Sequence, residues 1–390
     1  MFNQTAYELG SNRSCIRELF EYGRSRAAIV GPENVFDYSL GNPSIPAPAQ
    51  VDQVIRDILT DTDSLAIHGY TSAVGDLATR QAIAEDLNER YDAGVEASDL
   101  FIGCGAAPEL VAVFRALAVP GAEILAVAPY FPEYKPFVEC AGAAFKVVPP
   151  DVPGFQIKLE AVEKMISANT AAIILNSPNN PAGTVYTRQT LEDLAALLRR
   201  KSEEYGRPIF IVADEPYREL VYGGVEVPFI PTIYSNTVVC YSYSKSLSLP
   251  GERIGYIYVP KQATNSQALY AAIAGAARAA GHVCAPSLWQ KVIARCATLR
   301  PDLESYDRNR RALYDGLTAL GYEVAKPDGA FYLFVKAPCG DANAFSEKAK
   351  QKDLLVVPGD GFGCPGYFRV CYCVSYDMIV RSLPVFGELI

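Results

Sequence analysis

The chain has 390 residues, 50% hydrophobic and 20% charged, with a formal net charge of −9 spread without long runs of one sign. At roughly 150 residues per domain, this length predicts two or three domains with a large core. The acidic balance argues against a nucleic-acid partner, and no apolar run approaches the roughly 20 residues needed to cross a bilayer. The start, MFNQTAYELGSNRSC, lacks a basic stretch followed by an apolar one, so no secretory signal is expected. Ten scattered cysteines without a CxxC pair, and only His68 and His282, predict reduced thiols in a cytoplasmic protein and no metal site.

In chain order, helical spacing first occurs over 14–26, with Ile16, Leu19, Phe20 and Tyr22. Tyr38-Ser-Leu-Gly-Asn-Pro-Ser-Ile-Pro-Ala-Pro48 is too rich in Pro and Gly for a regular element and reads as an extended arm. Gly41 there suits either an ordinary turn or a close backbone approach to a ligand. A helix is expected over 50–60, a loop over 68–75 and an amphipathic helix over 76–91. Apolar strands at 100–102, 123–128, 144–148, 170–175, 208–213 and 237–241 then alternate with helices at 109–119, 132–141, 159–168 and 187–205. Strands apolar on both faces and separated by helices predict an α/β fold with a mainly parallel sheet covered on both sides.

Beyond Pro260 the pattern changes. Helices are expected over 263–280, 287–298 and 302–320. Strands follow at 322–324, 331–335, 354–357 and 367–373, with helices at 343–352 and 376–386. The expected organisation is an N-terminal arm over 1–45 that joins a smaller domain, a large domain over 46–285, and a small α+β domain over 286–390.

The motifs carry the chemistry. Gly103-Cys-Gly105 lies at a strand-to-helix turn, but Pro108 stands where a dinucleotide fingerprint needs its third glycine. Such a turn still offers one phosphate the outward amides of a helix start, here beside the small Ala106 and Ala107. Asn176-Ser-Pro-Asn-Asn-Pro-Ala-Gly183 begins at a strand's carboxyl end, where open α/β sheets bind ligands. Asn180 offers a donor there, and asparagines that merely close turns explain the motif equally well. Asp214 is the first charge after the apolar 209–213. It suits either a helix cap or a partner for a protonated ring nitrogen. Ser242-Tyr-Ser-Lys-Ser-Leu-Ser-Leu-Pro-Gly-Glu-Arg253 sets a lysine between hydroxyls and before an arginine. Lys245 is either a solvated loop lysine or the covalent anchor of a carbonyl cofactor whose phosphate its neighbours hold. Arg369 lies inside an apolar strand, where its planar fork requires an internal carboxylate or one from a substrate.

Together the order and spacing of SxSKxxxxPGxRxG, NNPxG and DExY resemble the class I/II aminotransferases, the aspartate aminotransferase-like enzymes of fold type I that depend on pyridoxal 5′-phosphate (PLP). The resemblance runs from Gly41 to the last helix. It implies that Lys245 forms the internal Schiff base, Asp214 holds the pyridinium nitrogen, and Asn180 and Tyr217 bond the phenol oxygen. Phe131 would stack on the ring. Gly105, the amides of Ala106 and Ala107, Ser242, Ser244 and Arg253 would hold the phosphate. Tyr70 would reach the phosphate of the partner subunit in a homodimer with shared active sites. Arg369 and the Gly41 backbone, beside Asn180, would bind the substrate α-carboxylate. Ala182 and Pro108 depart from the family pattern; Pro108 removes one amide but suits a first helical turn.

The implied activity is ping-pong transamination between an amino acid and a 2-oxo acid, with Lys245 as general base and acid. A C–S or β-lyase on the same scaffold is the alternative, because the same carbanion serves both chemistries. A non-catalytic PLP sensor is less favoured, since 1–40 is too short for an appended DNA-binding domain. Arg278 reads as a solvated helix residue or as a cation for a distal carboxylate.

Overall fold

The computed structural model describes residues 2–11 and 14–390. The arm expected over 1–45 includes Met1, Asn12 and Arg13, which lie outside the described residues. In chain order the strands are β1 (Phe36–Asp37), β2 (Leu100–Gly103), β3 (Glu123–Val127), β4 (Ala144–Val148), β5 (Thr170–Asn176), β6 (Phe210–Asp214), β7 (Thr237–Ser242), β8 (Gly255–Tyr258), β9 (Tyr332–Lys336), β10 (Leu354–Leu355), β11 (Val357–Pro358) and β12 (Tyr367–Cys371).

Seven strands make one sheet in the order β2-β8-β7-β6-β5-β3-β4. The pairs from β4 through to β7 are parallel, and β8 runs antiparallel to both of its neighbours. The period of two along each strand splits the side chains between two helical layers. Leu125 of β3 and Ile211 and Ala213 of β6 pack under Leu77–Tyr91, Arg188–Tyr205 and Ser287–Cys296. Ile124, Ala126, Phe210 and Val212 pack under Ala106–Leu117, Tyr134–Ala141 and Ser266–Ala279. Each aliphatic side chain buried this way stabilises by about 1.5–3 kcal/mol. The mainly parallel sheet covered on both faces is therefore as expected from the sequence.

A smaller antiparallel sheet, β11-β12-β9, packs with Leu303–Ala319, Ala342–Lys350 and Tyr376–Gly387 around a second core. The chain over 354–358 differs from the single strand expected there. Leu354 and Leu355 pair in parallel with β1, and Val357 and Pro358 pair with β12 instead. The strand expected at 322–324 is reduced to one bridge, Val324 to Val335. Helices Gln4–Ser11 and Ser64–His68 lie where none was expected; Asp63 caps the second by accepting from the Leu65 amide at 2.9 Å. Leu19, in the helix Cys15–Val30, packs against Val357 and Phe362.

Ser287–Cys296 packs onto Ala49–Asp61 and Leu77–Tyr91, with Val292, Ile293 and Cys296 inside the large core. We propose that the division between the units falls after this helix, near 297–302. A division near 285 would detach these three side chains from the core they fill.

The arrangement of strand ends sets up the site. Asn176 ends β5 and Asp214 ends β6, in register with each other, and Ser242 ends β7. Alternation on β12 sends Phe368 and Val370 into the small core and turns Arg369 the other way, toward those strand ends.

Candidate active site

A cleft of about 300 Å³ lies between the two units, at the small end of the range for ligand sites. Its walls bring together residues separated by more than three hundred positions, from Gly41 to Arg369.

Asp214 sits at the floor, 5% exposed. Its Oδ2 accepts from the Tyr134 hydroxyl at 2.5 Å, and its backbone oxygen accepts from Asn176 Nδ2 at 2.8 Å. Its Oδ1 is buried without a hydrogen-bond partner among the described residues. Burial pushes the Asp214 carboxyl up to about 7, against the lowering effect of the Tyr134 bond. Asp214 caps no helix. It is a half-satisfied carboxylate that lacks a donor on its cleft side, and a protonated ring nitrogen would complete it.

Lys245 follows the short helix start at Ser242, whose side chain caps it by accepting from the Ser244 amide. Lys245 Nζ donates to Gly41 O at 2.6 Å. Burial lowers the lysine pKa below its ordinary value, and the charges of Arg369 and Arg253 add to that. The hydroxyls of Ser242 and Ser244 lie 2.6 Å apart. Arg253 adopts a left-handed backbone, φ 53°, which is costly for a side-chain-bearing residue and more frequent at functional sites. Gly105 needs its φ of +89°, and a Cβ there would meet Arg253 Nη2 at 3.0 Å. The glycine thus lets the turn close on the guanidinium. Helix Ala106–Leu117 starts immediately after it, with no side chain capping it, so its first amides remain directed at the cleft. Serines, arginine and helix start together form an anion cradle.

Arg369 is fully buried among neutral oxygens. Nη1 donates to Asn180 Oδ1 at 2.9 Å and Nη2 to Ser39 O at 2.5 Å, and Nε has no partner among the described residues. The internal carboxylate that the sequence allowed is not among these contacts, so the fork keeps donor capacity for an incoming anion. Asn180 N is held by Asn176 Oδ1 at 2.7 Å, while the neighbouring Asn179 closes the turn by accepting from Ala182 N. The turn-closing reading of this motif thus applies to Asn179, while Asn180 is placed in the cleft beside Arg369. Tyr217 is buried, and its hydroxyl lies 2.8 Å from that of Tyr332.

The cleft thus gathers Gly41, Ala106, Ala107, Phe131, Asn180, Asp214, Tyr217, Ser242, Ser244, Lys245, Arg253 and Arg369. Gly105 stands just behind its wall. Tyr70 is not brought in; it is 99% exposed. Arg278, in the last turn of its helix, is exposed and lies outside the cleft.

Sequence reading missed Tyr134, Tyr332, Asn176 and the Ser39 carbonyl. Tyr134 carried a signal, since a hydroxyl on the buried face of an amphipathic helix needs a partner. It also missed Glu109, which is 2% exposed behind the Gly103-Cys-Gly105 turn, with neither carboxyl oxygen partnered among the described residues. Burial, followed by the charge of Asp214, drives the Glu109 carboxyl well above the ordinary range. Its side chain fills the space that Cβ atoms on Gly103 and Gly255 would need, with its Oε1 only 2.6 Å from either position.

Comparison with known proteins follows the same lines. The family model for aminotransferase class I and II matches residues 33–382. An amino transferase from Eubacterium rectale shares 56% sequence identity, with a TM-score of 0.98 over 100% of this chain and 98% of that one. Aspartate aminotransferase from Thermotoga maritima superposes with a TM-score of 0.86 at 27% identity, covering 99% of each chain. A probable N-acetyl-LL-diaminopimelate aminotransferase of Bacillus subtilis is 28% identical over 90% of this chain and 88% of its own.

Proposed function

This chain belongs to the class I and II aminotransferases, is PLP-dependent, and we propose that the cleft built on Lys245, Asp214 and Arg369 is where it moves an amino group between an L-amino acid and a 2-oxo acid. The observation that carries the reading is the unpartnered Oδ1 of Asp214, buried on the floor of the cleft that Lys245 lines.

The residues present fit the cofactor. Asp214 supplies the carboxylate for its ring nitrogen, and Phe131 an aromatic face. Asn180 and Tyr217 would bond its phenol oxygen. Ser242, Ser244, Arg253 and the amides of Ala106 and Ala107 would hold its phosphate, with Gly105 making room for Arg253. When bound, the cofactor accepts the electron pair that the departing α-proton leaves behind.

The chain's own groups do the rest. Arg369 takes the substrate α-carboxylate on its free donor edge, oriented by Asn180 and the Ser39 carbonyl. Lys245 Nζ removes the α-proton and returns it; its lowered basicity leaves a larger neutral fraction near neutral pH than an exposed lysine has. Gly41 O holds that amine in place meanwhile. Leu40, Phe131 and Pro250 add apolar wall to the cleft.

Relatives are named for aspartate, prephenate and aromatic amino acids. Aspartate and the aromatic amino acids carry an α-amino carboxylate and prephenate a 2-oxo carboxylate, the two ends of one amino exchange, and the carboxylate beside the reacting carbon is what Lys245 and Arg369 address. A second copy of the chain completes the site in this reading. The exposed Tyr70 and Leu65, 99% and 84% accessible, support a covering partner, whose phosphate site Tyr70 would reach. Among the described residues no helix is long and apolar enough to cross a membrane, and cytoplasmic residence is our reading from reduced cysteines.

Lys245→Ala tests the assignment. Multiple turnover should fall by at least roughly 1000-fold, as befits loss of the general base, while the cofactor still binds. Turnover at the wild-type rate would overturn it.

A further inference from the structure

Tyr332 lies in the cleft, and none of the roles above uses it. It begins β9 and is 2% exposed. Its ring lies edge-on to Tyr217, with centroids 5.7 Å apart at 80°. Arg369 Cζ covers the same ring, 4.7 Å from its centroid. The hydroxyl packs onto the Gly41 backbone, so that a Cβ on Gly41 would fall 2.2 Å from it. The ring is thereby fixed between the arm, the arginine and Tyr217.

The two hydroxyls lie 2.8 Å apart, and each is the other's hydrogen-bond partner. Each has one proton to donate and two lone pairs. If Tyr217 donates, the Tyr332 proton has no other acceptor among the described residues, and a buried donor left unpaired costs free energy. If Tyr332 donates, its own proton is satisfied and the Tyr217 proton is left for the cleft. With a phenol oxygen there to receive it, only the second arrangement pairs both protons.

We infer that Tyr332 is a positioning residue, whose hydroxyl donates to Tyr217 and so directs the Tyr217 proton at the cofactor's phenol oxygen. This rests on the proposed place of Tyr217. Chains of hydrogen bonds polarise one another, strengthening each bond by roughly 10–30%. A donor aimed at the phenol oxygen stabilises its ionised form and loosens its hold on the proton of the Lys245–cofactor link. The pH midpoint of that chromophore in the resting holoenzyme is therefore held low by Tyr217, and lower still by Tyr332.

Spectrophotometric titration of the holoenzyme tests this with Tyr217→Phe, Tyr332→Phe and the double variant. Losing a hydrogen bond to a charged oxygen should raise the midpoint by roughly 1–2 in Tyr217→Phe. Tyr332→Phe should raise it by roughly 0.3, the cooperative fraction of that. In the Tyr217→Phe background, Tyr332→Phe should add nothing. An unchanged midpoint in Tyr332→Phe, or an equal rise with and without the Tyr217 hydroxyl, overturns the inference. An unchanged midpoint in Tyr217→Phe overturns the placement of Tyr217 itself, which is a different failure. A purely structural Tyr332 would move the melting temperature and leave the midpoint alone. Should Tyr332→Phe fail to fold, 3-fluorotyrosine at 332 serves instead. Its stronger donor should lower the midpoint, and no movement would refute the role.

Discussion

Asp214→Asn should have opposite effects on the empty and the cofactor-loaded protein. Folding raises the Asp214 carboxyl from its ordinary 3.8 to about 7, because the group is buried with Oδ1 unpaired. Between roughly pH 4 and 7 the native chain therefore holds a proton that the unfolded chain has lost. The native state binds more protons there, so the stability of the empty protein falls as pH rises. The full difference corresponds to roughly 4 kcal/mol. A chain of this length unfolds with an entropy near 0.8 kcal/mol/K, so the penalty amounts to about 5 °C in melting temperature. The amide cannot ionise. It also leaves an Nδ2 without an acceptor, at a cost of about 1–3 kcal/mol that does not vary with pH. The quantity to read is thus the variant-minus-wild-type difference in Tm of the cofactor-free protein, by calorimetry at intervals from pH 4 to 8. It should climb by about 5 °C across that range. Loading with PLP should then reverse the ranking at pH 8, because only the carboxylate pairs with a protonated ring nitrogen. A difference in Tm that stays flat with pH refutes the unpaired-carboxylate reasoning.

Two further outcomes follow from the same geometry. Arg369→Ala removes a fork that is buried and has free donor capacity, so kcat/KM for amino acids should fall by roughly 10–150-fold, the worth of charge-assisted hydrogen bonds; unchanged steady-state kinetics would exclude Arg369 from carboxylate binding. Arg218→Ala strands the buried Glu215, to which Arg218 Nε donates at 2.5 Å, directly beside Tyr217. It should cost about 3–5 kcal/mol and lower Tm by roughly 4–6 °C; a melting curve unchanged from wild type would contradict the ion pair's structural role.

How legible the site was depends on where each contact originates. Lys245, Asp214, Asn180 and Arg253 could be read because each sits in a local run whose residue types already suit a task. The parallel sheet could be read because β5 and β6 are apolar on both faces. Tyr332 could not be read, and Tyr134 only in part. Its place on the buried face of a helix signals that its hydroxyl needs a partner, but only the packing of that helix against the sheet shows the partner to be Asp214. Tyr332 meets Tyr217 across 115 positions, at the junction of the two units. Glu109 could not be read for another reason. An acid in a first helical turn ordinarily reads as a solvated partner of the helix dipole, but two facing glycines open a pocket that buries it. The switch of sheets at Val356 likewise has no local signal, because it depends on β1, which lies more than three hundred residues earlier.

The most direct test of the central assignment is chemical mapping of the cofactor lysine. Borohydride reduction of the PLP-loaded enzyme fixes the lysine–cofactor link as a stable amine, and peptide mass spectrometry locates it. The label should fall on the peptide carrying Lys245 and be lost in Lys245→Ala; a label on another lysine, or one retained in the variant, would contradict the account.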